Sequence, residues 1–164
     1  MQRAAQFFLF VTLILWGTLI GAIMYSHIAF FPAYLDHLPG SAVLVNGPYA
    51  IRDDIFWMRI HPVLIVCLII TLIINWKLVT RRKYIIVAAC IYALAIIATF
   101  TYFVPELMAF AKSNDSNIPA AEWLQRGKKW QYLSWIRGFF MYLGFVLLLI
   151  SLTKNKTGGS PANP

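Results

Sequence analysis

The sequence predicts an all-α integral membrane protein, a bundle of four transmembrane helices. Of the 164 residues, 60% are hydrophobic and 12% are charged, whereas roughly 25% of residues are charged in ordinary soluble domains. A chain of this length could not hide so much apolar surface in one water-soluble core, so lipid must be its solvent. Four segments are also long and apolar enough for a helix to cross a hydrocarbon core of about 30 Å.

The four predicted spans make up one domain, residues 1–153. They cover residues 7–31, 55–76, 84–104 and 133–152. Each segment supplies the roughly 20 apolar residues that a transmembrane helix requires. The residues that follow, 154–164, contain glycines and prolines, and we expect them to form a disordered cytoplasmic tail.

The two longer connections carry different turn signals. Two motifs, Pro39-Gly40 and Asn46-Gly47-Pro48, predict a compact loop between spans one and two. Between spans three and four, Pro119 is expected to open a short helix that is separate from span four. Trp123 and Trp130 would hold that short helix at the membrane interface, where aromatic rings accumulate.

The charge distribution indicates how the chain lies in the membrane. The net charge of +8 comes from 14 basic and 6 acidic residues. The basic residues flank the apolar runs, so they indicate a lipid bilayer as partner and no nucleic acid. Their density is highest in the tails and in the short turn between spans two and three, where the positive-inside rule has most force. We therefore expect both termini in the cytoplasm and the protein in a bacterial cytoplasmic (inner) membrane.

Each span contributes one ionisable residue at a similar depth. At 1.5 Å of helical rise per residue, His27 and Glu106 reach the outer boundary of the bilayer. His61 and Arg137 lie about 24–26 Å from the cytoplasmic ends of spans two and four. Polar groups in a membrane face the protein interior, and helical spacing places each of these residues on an inward stripe. The four side chains are therefore predicted to converge on one polar pocket in the outer leaflet.

The residue types in this pocket allow several kinds of chemistry. Glu106 and Arg137 would most simply form an ion pair that clamps spans three and four, because an unpaired charge at this depth costs at least about 3 kcal/mol. The set His27, His61 and Glu106 also matches the ligands of non-haem iron sites, and it suits copper or zinc. Haem held by His27 and His61 as axial ligands is a further alternative.

A functional pocket would need more than metal ligands. Glu106 and Arg137 are the predicted catalytic residues, with Arg137 orienting a substrate anion or the Glu106 carboxylate. Tyr25, Tyr102 and Trp130 are predicted to line an aromatic wall around a bound cofactor or ligand.

A glycine pair on span one predicts close helix packing. Gly17 and Gly21 are four residues apart, the spacing at which two helix backbones approach each other in membranes. The pair addresses a different neighbour from His27, because it lies about 120° away on the helical wheel. That neighbour is either another span of this chain or a separate helix.

Several pieces of the chain occur in an order that is typical of one family. They are Gly17, Gly21 and Pro32, His61-Pro62, Pro105-Glu106-Leu107, and Trp130, Trp135 and Arg137. In this order they resemble a family of small four-span membrane proteins of unknown function whose fungal relatives include anthrone oxygenases. The resemblance extends from about residue 7 to residue 152. It implies a four-helix membrane architecture with a polar outer site.

Two functional hypotheses follow from these observations. In the first, the pocket binds a small apolar or quinone-like molecule and oxidises it, which requires a metal or cofactor because the side chains offer no oxidant. In the second, the protein is a non-enzymatic accessory or structural membrane subunit. Its polar residues then clamp the helices, and Gly17 and Gly21 form a contact surface.

Overall fold

The computed structural model describes residues 2–154, which form four helical spans joined by short connections. The spans are Arg3–Leu35, Asp54–Ile74, Val79–Ala111 and Ala120–Leu152, and each is long and apolar enough to cross a membrane. No strand occurs between residues 2 and 154. The prediction of an all-α four-helix membrane bundle is therefore confirmed.

Two of the spans are composite. Span one consists of helix α1 (Gln2–Tyr25), a π-helical turn (Ser26–Phe30) and helix α2 (Phe31–Leu35). Span two is helix α3 (Asp54–Ile74). Span three consists of helix α4 (Val79–Ala98), a π-helical turn (Thr99–Phe103) and helix α5 (Val104–Ala111), and span four is helix α6 (Ala120–Leu152). Two short 3-10 helices, Gly40–Leu44 and Ser113–Asp115, lie in the connections.

Both π-helical turns have the same local cause. Each ends two residues before a proline, Pro32 in span one and Pro105 in span three. A proline has no N–H for the carbonyl four residues earlier, and its ring crowds that carbonyl. The chain widens instead, so that the N–H of Phe31 binds the carbonyl of Ser26 and the N–H of Val104 binds that of Thr99. Such wide turns are often found at functional sites.

The four spans form a closed ring in which each span packs against two neighbours. Span four packs most extensively against spans three and one, and span one packs against span two. One close approach is made through Gly144 of span four, where a Cβ atom would lie 2.8 Å from Cζ2 of Trp16. Only glycine lets the buried Trp16 ring of span one lie against the backbone of span four.

The apolar interior is divided into two clusters. The first is aliphatic around Trp16 and Tyr92 and fills most of the bundle. The second, which we call the aromatic cluster, consists of Phe31, Tyr34, Leu35, Leu38, Phe103, Phe110, Trp123 and Trp130. It lies at the end of the bundle that carries the connections 36–53 and 112–119, which we call the loop end. The opposite end, with the turn 75–78, is the terminal end.

The spans extend further than the sequence predicts at the loop end. Span four begins at Ala120 and continues for 33 residues without a break, about 50 Å of helix. The prediction of a short, separate helix after Pro119 is therefore wrong, because that segment is the first part of span four. Trp123 and Trp130 are 3% and 1% exposed, so their rings pack into the aromatic cluster, and their position at the membrane interface stays a prediction.

The loop between spans one and two is compact, as predicted. Ser41 donates its hydroxyl hydrogen to the carbonyl of Tyr34. The Asn46 side-chain amide donates to the carbonyls of Ala42 and Ala111, over 2.9 and 2.6 Å. These bonds fold the loop over the end of span three. The predicted tail, residues 154–164, lies outside the described residues except for Lys154.

The terminal end is fixed by a buried arginine. Arg81 is 1% exposed, and it donates to the carbonyls of Ser151 and Leu152 and to Oδ1 of Asn75, over 3.1 to 3.3 Å. The Asn75 amide in turn donates to the carbonyl of Ala5 over 3.3 Å. Arg81 therefore joins the end of span four to the turn between spans two and three. It is a structural residue of the bundle as well as one of the basic residues that flank the spans.

Candidate functional site

A chain of polar side chains crosses the bundle between spans one, four and three. Arg137 of span four donates through Nη1 to Oγ1 of Thr99 over 2.8 Å and through Nη2 to Oγ of Ser134 over 3.0 Å. Oγ of Ser134 lies 3.0 Å from Nε2 of His27. His27 and Ser134 are buried, and the chain links side chains from three of the four spans.

The partners fix the direction of every hydrogen bond in this chain. Nδ1 of His27 lies 2.8 Å from the carbonyl of Ile23, which can only accept, so Nδ1 carries the hydrogen. In the neutral imidazole Nε2 is then the acceptor, and the Ser134 hydroxyl donates to it. Ser134 accepts from Arg137 with its lone pair. Both ring nitrogens of His27 are therefore engaged within the protein.

Arg137 is a cation without a matching anion in its surroundings. Its guanidinium lies 4.0 Å from the centroid of the Phe103 ring, and its hydrogen-bond partners are the two hydroxyl groups. Within residues 2–154 it forms no ion pair. The guanidinium also lies within electrostatic range of both His27 and His61. A charge surrounded by neutral groups inside a membrane protein has a high free-energy cost. Such a charge marks a site where a further hydrogen-bond acceptor is favoured.

His61 of span two lies towards the same end of the bundle, but it is not hydrogen-bonded to the chain of His27, Ser134, Arg137 and Thr99. Its Nδ1 lies 2.7 Å from the hydroxyl of Tyr92 in span three. The ring stacks on Trp57 with centroids 6.0 Å apart. Nε2 of His61 has no hydrogen-bond partner among the residues that the structure describes. This nitrogen is the one imidazole position of the two candidate histidines that is open to a ligand.

The π-helical turns position two members of the polar chain. His27 lies in the wide turn of span one, and Thr99 opens the wide turn of span three. The prolines that cause these turns, Pro32 and Pro105, are therefore part of the reason why the polar groups meet. In the sequence, each of these prolines directly follows the end of a predicted span, at residues 31 and 104.

Glu106 does not pair with Arg137, and the predicted clamp between these two residues is wrong. Both carboxylate oxygens of Glu106 accept from Arg126 over 3.0 to 3.2 Å. The Arg126 guanidinium lies 4.4 Å from the centroid of Trp123. The reason is the length of span four, because its helix begins early enough to bring Arg126 beside Glu106. This pair ties spans three and four together one level nearer the loops than Arg137.

The expected three-ligand metal set of His27, His61 and Glu106 is not assembled. In the described part of the chain, no three His, Cys, Asp or Glu side chains lie close enough together to hold a metal ion. Glu106 is bound to Arg126, and both nitrogens of His27 have protein partners. Because both ring nitrogens of His27 are hydrogen-bonded within the protein, neither is available as an axial ligand for haem iron. The donor set therefore fits neither an iron, copper or zinc centre nor a bis-histidine haem.

The three predicted pocket aromatics do not share a wall. Tyr25 is 70% exposed, whereas Trp130 is buried and donates from Nε1 to the carbonyl of Phe103 over 3.0 Å. Tyr102 is half-buried beside Phe103, with ring centroids 5.1 Å apart. Tyr25 instead lines a cleft between spans one and two, which contains neither Tyr102 nor Trp130.

The glycines of span one face different surroundings. A Cβ atom on Gly17 would lie 3.6 Å from the Phe145 ring of span four, within the same chain. A Cβ atom on Gly21 would meet no atom within 4 Å. Contact of a separate helix with this pair stays a prediction.

Arg126 and Ser134 are the site residues whose roles sequence reasoning missed. Arg126, Trp130, Ser134 and Arg137 follow one another at steps of four, four and three residues, which places them on one helix face. This signal was visible in the sequence. The predicted span four begins at residue 133, so Arg126 falls outside it, in the connection between spans three and four.

The chain was also compared with known proteins. No family model matches it, and no curated protein and no solved structure is significantly similar to it. The resemblance to the four-span family related to fungal anthrone oxygenases therefore stays a prediction from the sequence.

Proposed function

We propose that this protein binds a small, largely apolar molecule with an oxygen-bearing, quinone-like head in the polar interior of its loop end. Arg137 and Nε2 of His61 would contact the head, and the spans would contact the apolar remainder. The proposal places both termini in the cytoplasm and the protein in a bacterial inner membrane, following the basic residues of the terminal end.

One observation carries the proposal. The Arg137 guanidinium has five N–H donors, and two hydroxyl oxygens are its hydrogen-bond acceptors among the described residues. It therefore offers donors and positive charge to an oxygen of a ligand. A carbonyl or phenolate oxygen is the matching acceptor, because a hydrogen bond from a charged donor to such an oxygen is strong in a site of low dielectric constant.

The chemistry available to the chain is hydrogen bonding and proton movement. Nε2 of His61 can accept or donate a proton while Nδ1 stays bound to Tyr92. With a quinone-like ligand the redox-active group belongs to the ligand. The protein's part is then to hold an oxygen at Arg137 and to exchange a proton at His61.

The experiment is a titration of the purified protein in detergent with a short-chain quinone, followed by tryptophan fluorescence. Trp57 stacks on His61, and the ring centroids of Trp135 and His27 are 4.6 Å apart. A quinone bound near either histidine should therefore quench the fluorescence of a tryptophan. We expect saturable quenching, with binding weakened about tenfold in Arg137→Gln and in His61→Gln, the effect of losing about 1.4 kcal/mol. Arg59→Gln removes an exposed positive charge at the same end and serves as the matched control.

The second candidate function is a structural membrane subunit, which the bonding of His27 favours because both its nitrogens already have protein partners. This function predicts no quenching by the quinone. It also predicts that Arg137→Gln lowers the stability of the bundle, whereas His61→Gln changes neither stability nor ligand response. Unchanged quenching in all three variants would exclude the proposed binding site.

A further inference from the structure

A second polar feature lies in a cleft of ≈ 210 Å³ between the loop ends of spans one and two. Span one contributes Tyr25, Ser26 and Phe30, and the start of span two contributes Phe56 and Trp57. The planes of the Phe56 and Trp57 rings stand at 79° to each other, so they form two walls of a corner. Aromatic residues thus make up half of the residues that line the cleft.

The cleft contains one carboxylate, Asp53, that lacks a cation. Asp53 is half-buried and accepts one side-chain hydrogen bond, from Nε1 of Trp57 over 3.2 Å. The neighbouring Arg52 binds both oxygens of Asp54 over 2.9 Å, so it is directed away from Asp53. No ion pair with Asp53 exists in the stretch from residue 2 to residue 154. Burial raises the pKa of Asp53 above its ordinary value of 3.8.

A buried phenol stands near this carboxylate. The Tyr34 side chain is 1% exposed, and its hydroxyl has no hydrogen-bond partner within the described residues. Tyr34 lies within electrostatic range of Asp53 and stacks on Phe30, a lining residue of the cleft. The cleft therefore combines one carboxylate with several aromatic rings, and a buried phenol without a hydrogen-bond partner among the described residues lies within electrostatic range of that carboxylate.

This combination excludes a metal ion and favours an organic cation. Calcium and magnesium require several oxygen ligands, and Asp53 is the single carboxylate that lines the cleft. The faces of aromatic rings attract cations, and cages of such rings recognise quaternary ammonium groups. The volume is below the roughly 300–1,000 Å³ of sites for drug-sized ligands, so a small head group suits it.

We propose that this cleft binds the ammonium head of a small alkylammonium compound, with Asp53 as the countercharge and Tyr25, Phe30, Phe56 and Trp57 as the aromatic cage. The site goes beyond the function proposed above, because it uses other residues and selects the opposite charge. Two sources carry this chemistry: a free compound such as choline, and the head group of a choline phospholipid in the bilayer. Tyr25, which is 70% exposed, lies at the mouth.

The first arm of the test uses choline chloride and tetramethylammonium chloride as probes on the full-length protein in a non-ionic detergent. Tryptophan fluorescence is followed at constant ionic strength, with sodium chloride as the reference titration. We expect saturable binding that weakens at least tenfold in Asp53→Asn. Asp115→Asn, which removes an exposed carboxylate in another loop, should bind as the wild type does.

The second arm tests the lipid source. Native mass spectrometry of protein from micelles that contain equal amounts of phosphatidylcholine and phosphatidylglycerol should show phosphatidylcholine adducts that Asp53→Asn loses. Loss of binding in Asp53→Asn in either arm supports the cleft and identifies its source. Absence of binding in both arms, or equal binding by the Asp53→Asn and wild-type proteins, overturns the proposal. Thermal unfolding of each variant establishes that it is folded, and Trp57→Phe supplies a second cage variant that keeps the carboxylate.

Discussion

Arg137 donates a 2.8 Å hydrogen bond to Thr99, and this bond joins the middle of span four to the wide turn of span three. The same guanidinium reaches Ser134, which passes the connection on to His27 of span one. Three spans are thus linked through hydroxyl groups, with no carboxylate taking part. The stability of the loop end should depend on these neutral links.

Ser134→Ala should destabilise the bundle by about 1–2 kcal/mol. The substitution removes the hydroxyl that both Arg137 and His27 use, and it leaves Nη2 of Arg137 and Nε2 of His27 without their hydrogen-bond partner. The measurement is unfolding in mixed detergent micelles, followed by circular dichroism. Thr101→Ala is the control, because Thr101 is exposed and bonds only to carbonyls of its own helix; equal losses in both variants would contradict the expectation.

Glu106 should be coupled energetically to Arg126 and not to Arg137. The ion pair is partly exposed, with side-chain exposures of 29% for Arg126 and 24% for Glu106, so we expect a coupling of about 0.5–1 kcal/mol. A double-mutant cycle of Glu106→Gln with Arg126→Gln measures it. The parallel cycle with Arg137→Gln should give a coupling close to zero, and a larger value there would restore the predicted clamp.

Gly144→Ala should cost about 1–3 kcal/mol, because the new methyl group would overlap the Trp16 ring in a packed core. Intrinsic tryptophan fluorescence and thermal unfolding report the change. Gly21→Ala provides the contrast, since a Cβ atom there meets nothing within 4 Å. That variant should be as stable as the wild type or slightly more stable, because alanine favours the helix by up to about 1 kcal/mol.

Arg81→Gln should destabilise the terminal end far more than Arg82→Gln. Arg81 is buried and holds two carbonyls of span four, whereas Arg82 is half-buried, lies over the Trp76 ring and donates one hydrogen bond to the Trp76 carbonyl. We expect a loss of about 2–4 kcal/mol for Arg81→Gln and less than about 1 kcal/mol for Arg82→Gln. Limited proteolysis near the turn between spans two and three, together with thermal unfolding, distinguishes the two.

Asp53 should make the stability of the protein fall as the pH rises. Burial raises the folded pKa of Asp53 above the ordinary value of 3.8, so the folded protein holds this proton more tightly than the unfolded chain does. The contribution is fully present below 3.8 and is lost as the pH rises through the folded pKa. The difference in melting temperature between wild type and Asp53→Asn should therefore change across this range.

The fold could be predicted because a membrane helix requires little more than length and apolar composition. Helical spacing also places Ser134 and Arg137 on one face of span four, and in the structure both side chains belong to the polar chain. The pairing of these groups could not be predicted in the same way. Counting the rise per residue gives the level of a side chain, but it does not give its partner on a neighbouring span.

Glu106 illustrates why regular spacing failed at the site. Regular α-helical steps of three and four residues would place Glu106 on the same face of span three as Thr99. The wide turn Thr99–Phe103 lies between the two residues, and it changes the direction in which every later side chain points. Arg126 could not be placed for a related reason. The first part of span four is polar and rich in aromatic residues, so a search for apolar runs starts this span at residue 133 and not at Ala120.

The two wide turns divide spans one and three into segments whose rotations are set independently. Deleting a single residue from Ser26–Phe30 would turn the following segment by about 100° while leaving the preceding 24-residue helix in register. The residues beyond each turn build the lining of the loop end. A one-residue deletion or insertion there would therefore change which side chains spans one and three contribute to the loop end, while the helix that precedes each turn keeps its register.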